Sequence, residues 1–560
     1  MAVRKYGVSA VALAAAAALA LAGCGTKDEG GSTNKSTGGT TTTSGGVVKL
    51  NGTEPQNPLV PTNTNEVGGG RIITNLFAGP VYYTADGATE MDVAESVESD
   101  DNITWTIKLK SGQKFSNDEP VNADSFVNAW NYGALGANGQ LSADFFNQIK
   151  GYDEVNSVTE ALLAELEAEG KPVPTMEGLV KVDDLTFTAE LTEEDPFFKM
   201  RLGYSAFYPL PTSAFDDMAA FGESPVGNGP YKLDGDGAWE HNIEIRLVPN
   251  ESYQGPRKPV NGGVTYVFYQ DRDTAYQDLL SGQLDVLDEM PESALSSFET
   301  DLGDRAVSDP GSLFQSFTIP DRLAHFGGEE GKLRRAAISR AIDRESITKT
   351  IFQGTRTPAK DFSSPLMEGW SGDIPGNEVL TFGPDKAKEL WAQADAISPW
   401  EGEFQIAYNQ DGPHGVWVEA ALNSIASTLG IATKPAPYPT FQESRTAITD
   451  RTIQTPFRSG WQPDYPSIYN YLSPLYGTGG GSNDGDYSNP QFDALLVEGI
   501  SEATPADAAV KFNQAQEILL KDLPAIPLWY QNSSGGYSEN VENVIWGWDN
   551  VPIAYQITTK

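Results

Sequence analysis

The sequence predicts an α/β or α+β protein with more than one lobe, and three observations predict it. Its 560 residues far exceed the size at which one hydrophobic core stops growing. Strand and helix signatures mix along the chain without a repeat period. The 11 Trp, 22 Tyr and 24 Phe supply enough bulky apolar material for more than one core. The charge balance narrows the partners: 38 Lys and Arg against 77 Asp and Glu give a net charge of −39. Such a chain repels phosphate backbones and anionic headgroups, so nucleic acid is not an expected partner.

Arg4 and Lys5 precede an apolar stretch, Val8 to Ala22, too short for a comfortable membrane span, which reads as a secretory signal. The stretch ends in Leu21-Ala22-Gly23-Cys24, and Cys24 is the only cysteine, so no internal disulfide can form. This resembles the bacterial lipoprotein signal, which implies removal of residues 1–23 and a lipid on Cys24. The alternative is an ordinary signal peptide with a stray cysteine. Residues 24–46 then form a Gly/Ser/Thr-rich flexible tether with a reach of roughly 25 Å. The expected location is extracytoplasmic, at the outer face of the cell membrane, with the lipid as the membrane attachment.

Taken in order, the elements beyond Val47 read as follows. Trp105, Ile107 and Leu109 alternate with Thr104, Thr106 and Lys108, a half-buried strand that Ser111-Gly112-Gln113 turns. Asn122 caps a helix carrying Phe126, Val127 and Trp130 on one face. Asp183-Asp184 between Val180-Lys181-Val182 and Leu185 to Leu191 predicts a hairpin turn rather than a catalytic dyad, because adjacent strand residues face opposite ways. Ile243 to Leu247 and Val264 to Phe268 are further strands. Leu333 to Ala341, Asp343 towards Gly354, Trp417 to Leu429 and Thr504 to Leu519 are helices. Pro524 to Tyr530 is an apolar extended segment that completes a sheet.

Catalytic and metal-binding patterns are largely missing. His241, His325 and His414 lack zinc-site spacing, and Cys24 offers no second ligand. No Gly-x-Ser-x-Gly elbow occurs, and Gly327 to Lys332 lacks P-loop spacing. Ser111 to Lys114 and Ser346 to Lys349 match Ser-x-x-Lys by chance, without companion motifs. Asn483-Asp484-Gly485-Asp486 lacks the closing glutamate of a calcium loop and reads as a surface loop. No metal, no cofactor and no enzymatic activity are expected.

An ordered set of segments spread over nearly the whole chain resembles the solute-binding proteins of bacterial ABC importers, in the oligopeptide- and dipeptide-binding branch. The set runs through Leu109 to Phe115 with Val121 to Asp124, Pro225 to Leu233, Asn250 to Tyr253, and Asp273 to Tyr276 with Leu280 to Val286. It continues through Arg334 to Ile347, Gly460 to Tyr465 and Ser488 to Asp493. The resemblance implies a two-lobed periplasmic-binding-protein fold of type II, hinged, with an extra subdomain in the first lobe. Lobe I is expected to comprise 47–62, 223–311 and 522–560, with 63–222 inserted, and lobe II 312–521. It further implies ligand capture between lobes and delivery to a transmembrane permease with ATPase subunits.

A general peptide receptor pairs its backbone with that of its ligand, because backbone is what peptides share. The resemblance carries this role onto Asn51, Gly52, Thr53 and Glu54 and onto Gly460, Trp461 and Gln462. Asp464, the aspartate of Gly-Trp-x-x-Asp, becomes the partner of the ligand's ammonium group, a loop cap being the alternative. Arg458 stands where some relatives hold the ligand's carboxylate, and a surface salt bridge serves equally. Trp461 walls a side-chain pocket or fills the core. Pro466 to Tyr469 follow Tyr465 in place of the family's acidic residue and proline, which leaves ligand class and length open. An oligosaccharide receptor on the same fold is the second hypothesis, and an exported hydrolase a third without a nucleophile–base pair to support it.

Overall fold

Val47–Gly52 buries every second residue, Val48, Leu50 and Gly52, and becomes an inner strand of an eight-stranded sheet. It runs parallel to Gly263–Phe268 and meets Val286–Leu287 at Leu50. The computed structural model describes residues 45–560 except 65, 411–413, 440 and 503, and leaves the side chains of 441 and 442 undescribed. The expected signal, Cys24 and nearly all of the tether lie outside the described residues.

The eight-stranded sheet also takes in Tyr231–Leu233, Trp239–Glu240, Glu244–Pro249, Ala306–Asp309 and Ser533–Tyr537. A four-stranded antiparallel sheet orders Ala94–Glu98, Thr104–Leu109, Thr186–Glu190 and Leu179–Asp183. In its second strand Trp105, Ile107 and Leu109 are buried and Thr104, Thr106 and Lys108 exposed, as the alternation requires. The helix Ala123–Ala134 starts at Asn122 in a reciprocal capping box with Ser125, and buries Phe126 and Trp130 fully. These two sheets share one apolar core.

A second large core surrounds a six-stranded sheet whose order is Arg356–Pro358, Ala525–Gln531, Phe314–Thr318, Phe457–Trp461, Phe404–Asn409 and Thr433–Tyr438. The predicted helices are present: Gly328–Ala341, Arg344–Thr350 capped by Asp343, Gly415–Leu429 ending at Gly430, and Pro505–Asp522 capped by Thr504. One expected boundary moves. Of residues 522–560, expected in the first lobe, Ala525–Gln531 pairs with Phe314–Thr318 and Arg356–Pro358 in the second sheet. Its residues are buried along nearly the whole strand, which only a central position accommodates, and the chain returns to the first sheet at Ser533.

Within the first core an ion pair is fully enclosed. Arg257 Nε donates to Asp92 Oδ2 at 2.7 Å, and the same guanidinium donates to the carbonyls of Thr74 and Phe77. Tyr253 donates its hydroxyl to Asp92 Oδ1 at 2.8 Å. Removing one partner leaves the other charge buried and alone. Arg257→Ala is expected to lower unfolding free energy by about 3–5 kcal/mol in urea titration; a wild-type midpoint contradicts the pair's role.

Candidate functional site

The strand Phe457–Trp461 is the element around which the site forms. On one side it is paired throughout, from Thr318↔Phe457 to Phe314↔Trp461. On the other side its ladder to Phe404–Asn409 contains one pair, Ala407↔Phe457. From Ser459 to Trp461 that second edge pairs with no strand among the described residues, the arrangement an added strand uses.

A cavity of about 590 Å³ runs along this edge. Phe314, Ile448, Ile453, Phe457 and Tyr476 give it apolar walls, while Arg458, Gly460 and Trp461 line it from the strand itself. Its remaining wall is the loop Ser482 to Tyr487, which the sequence assigned to the plain surface. Arg445, from the helix Phe441–Thr449, donates both Nη atoms to Asp484 at 2.6 and 2.8 Å. Arg451 and Arg322 donate to Asp486 at 2.9 and 2.8 Å. A fork-on-carboxylate pair fixes direction as well as distance, so two arginine-held aspartates make this loop a wall. None of the three arginines lies in a motif, and the spacing of the aspartates carries no signal for arginine partners.

Asp464 lies just past the strand. Asn470, in the first turn of the helix Ile468–Tyr476, organises the neighbourhood. Its Oδ1 accepts from Trp461 Nε1 at 3.0 Å and from the Asp464 amide at 2.9 Å, and its Nδ2 donates to Asp464 Oδ2 at 3.2 Å. The helix is capped by Ser467, not by Asp464. Among the described residues no cation pairs with Asp464. Burial pushes its carboxyl up to about 6, against the smaller downward pull of the Asn470 bond. Burial also raises the phenols of Tyr83, Tyr204 and Tyr465, and the Asp464 charge adds to each rise.

The other expected residues are placed as follows. Gln462 donates to the Asp549 carbonyl at 3.1 Å, and Tyr465 is buried; neither lines the cavity. Asn51 exchanges two bonds with Asp288, Nδ2 to Oδ1 at 2.5 Å and Oδ1 from the Asp288 amide at 2.9 Å. Asp288 in turn pairs with Arg71. Burial pushes the Asp549 carboxyl up while the Val551 amide and Arg71 pull it down, so Arg71 connects the surroundings of Asn51 to those of Gln462. Gly52 closes its strand against Phe268. A Cβ on Gly68 would stand 2.2 Å from Thr53 Oγ1, which measures how closely the helix Val67–Leu76 approaches Thr53. The Glu54 carboxylate is engaged by His241 Nδ1 and the Asn242 amide, at 2.7 and 2.8 Å.

An open strand edge beside a walled cavity is the means by which a chain adds an extended ligand; comparison with known proteins gives the family. Residues 88–483 match the family model of bacterial extracellular solute-binding proteins, family 5, middle region. The chain belongs to that family. It is 25% identical over 513 residues to "Oligopeptide-binding protein OppA" of Bacillus subtilis (strain 168), covering 88% of this chain and 89% of that protein. It is 25% identical over 537 residues to "Dipeptide-binding protein DppE" of the same organism, covering 93% of each. Among solved structures, that of the Escherichia coli murein tripeptide binding protein MppA aligns with a TM-score of 0.73 at 20% identity, over 92% of this chain and 98% of that one. The fold is therefore the two-lobed type II fold of periplasmic binding proteins, and family 5 proteins are binding proteins, not enzymes. No helix among the described residues is long and apolar enough to cross a membrane.

A raised carboxyl has a definite consequence for stability. The folded chain holds the Asp464 proton more tightly than the unfolded chain, so this contribution is full below pH 3.8 and is lost as pH rises through about 6. At pH 7 the ionised acid works against folding in the empty receptor. Asp464→Asn is expected to stabilise the ligand-free protein at pH 7 by about 1–3 kcal/mol and to be near neutral at pH 4. Equal effects at the two pH values in urea titrations contradict the burial of the charge.

Proposed function

We propose that this chain is an extracytoplasmic receptor that captures short peptides with free amino termini and delivers them to an ABC permease and its ATPase subunits. Lipid on Cys24 tethers it to the outer face of the membrane. In this reading 47–62, 223–311 and 533–560 form one lobe, with 63–222 inserted, and 312–531 form the other.

The observation that carries the proposal is the half-paired strand Phe457–Trp461. Free backbone groups along a strand edge recognise extended backbone irrespective of side chain, which suits a peptide. Asp464 supports the same reading: an acid costly to ionise when empty gains most from a fixed ammonium group. Arg458, on the cavity six residues earlier in the chain, takes the ligand's carboxylate, with the ligand running antiparallel to the strand. Trp461, held by Asn470, walls the cavity between them.

Mass spectrometry of the ligand that co-purifies with natively produced protein tests this directly: peptides with unblocked amino termini are expected, and a glycan or an uncharged solute sinks the reading. Calorimetry with such a peptide is expected to show Asp464→Ala binding at least about thirtyfold more weakly, the loss of a buried charge partner being worth about 2–5 kcal/mol.

A further inference from the structure

The polypeptide passes between the eight-stranded and six-stranded sheets at two places. The first is Pro310 to Leu313, from Ala306–Asp309 to Phe314–Thr318; the second is Asn532, between Ala525–Gln531 and Ser533–Tyr537. The passages touch, the Gln531 amide donating to the Leu313 carbonyl at 2.9 Å. A third segment inserts beside them. Trp546 and Pro552 form an antiparallel bridge, Gly547 donates to the Val551 carbonyl and Asn550 to the Gly547 carbonyl, so Asp549 and Asn550 form the tip of a tight turn. Asn550 has φ +65°, a conformation asparagine and glycine tolerate and most residues do not.

The Asn550 side chain bonds both passages. Its Oδ1 accepts from the Ser312 amide at 3.3 Å and from the Ser533 hydroxyl at 3.1 Å. A Cβ on Gly311 would lie 2.5 Å from Asn550 Nδ2 and 2.2 Å from the Gln531 carbonyl oxygen, so a glycine admits this fit. The same tip touches the binding surface. Gln462 donates to the Asp549 carbonyl, Trp548 packs edge-on to Tyr83 with ring centroids 5.4 Å apart, and Arg71 lies close enough to influence Asp549.

We propose that Asn550 is a positioning residue for closure: it sets the relation between the two chain passages and, through Asp549 and Gln462, ties that relation to occupancy of the strand Phe457–Trp461. Ligand laid along Gly460 to Gln462 moves or fixes Gln462, Gln462 holds the Asp549 carbonyl, and the adjacent Asn550 side chain holds Ser312 and Ser533. A contact of this kind shifts a two-state equilibrium without touching ligand, because only groups bonded differently in the two states contribute. The proposal rests on the reading of this chain as a receptor that closes on its ligand, but its main test needs no ligand.

Asn550→Gly removes the side chain and keeps the backbone conformation, and Asn550→Asp keeps an acceptor oxygen in place. In hydrogen exchange of ligand-free full-length protein, Asn550→Gly is expected to speed exchange of 311–313 about tenfold. Exchange of 104–109 should stay unchanged, and small-angle scattering should show an altered radius of gyration. Asn550→Asp is expected to restore both. Ser533→Ala, which trims one bond at the surface of the clasp, provides the same readout if Asn550→Gly does not fold. Wild-type exchange at 311–313 and an unaltered radius in either folded variant overturn the proposal, as does acceleration spread evenly over the chain. Tetra-alanine added to wild type separates the two readings. Slowed exchange at 458–462 reports binding, and slowed exchange at 311–313 in wild type but not in Asn550→Gly reports coupling. Protection at 458–462 alone overturns the coupling and leaves the receptor standing; no protection anywhere counts against the receptor and leaves the clasp to the ligand-free result.

Discussion

Very little chain joins the two large sheets, and this constrains any movement of one against the other. Four residues make one passage and a single residue, Asn532, makes the other. The two lie against each other through Gln531 and Leu313. Two short, hydrogen-bonded tethers side by side permit bending about the line they define and resist other displacements. Each large sheet has its own apolar core, but Phe197 and Trp548 reach into the core around the six-stranded sheet, where Phe197 packs on Phe512 with ring centroids 6.0 Å apart. Relative motion of the sheets therefore works against that crossover.

The binding surface follows from a local failure of pairing. Phe404–Asn409 and Phe457–Trp461 run parallel but share one pair, Ala407↔Phe457, and the strands then diverge around the cavity. On its other flank Phe457–Trp461 is secured along its full length, and Gln315 Nε2 donates to the Ser459 carbonyl besides. The strand is thus rigid while one edge stays available, a combination that lowers the ordering cost of adding a ligand strand. Lys or Pro often blunts exposed edges; here Ser459-Gly460 occupies the edge, which leaves the approach open.

What the sequence revealed and what it concealed divide along the range of the interactions. Alternation in Thr104–Leu109, the Asn122 cap and the Gly430 stop depend on residues within a few positions of one another, and they appear where expected. The apolar run Pro524 to Tyr530 announced a buried strand, but which sheet would take it depends on pairing with Phe314–Thr318, two hundred residues away, and the boundary was misplaced accordingly. The ordered family segments point to Gly460 to Tyr465, of which Gly460 and Trp461 lie on the half-paired strand and the rest follow it. Of the arginines holding Asp484 and Asp486, Arg445 lies on a helix and Arg451 and Arg322 in turns; nothing in their spacing connects them. The same holds for Asn550, whose partners are 238 and 17 residues distant.

The acid at the end of that strand explains why the site is built this way. The Asn470 amide group is neutral, and one such bond cannot offset the desolvation of a carboxylate among Tyr83, Tyr204 and Tyr465. A permanent arginine in this position would relieve the burial and also abolish the demand for a cation from outside. The contrast with Asp92 is instructive: more deeply enclosed than Asp464, that acid has Arg257 and Tyr253 as lasting partners and serves the core. A resident cation thus separates Asp92 from Asp464, the acid proposed above for recognition. On that proposal a ligand's ammonium group supplies the missing cation, and occupancy and a settled interlobe arrangement favour each other.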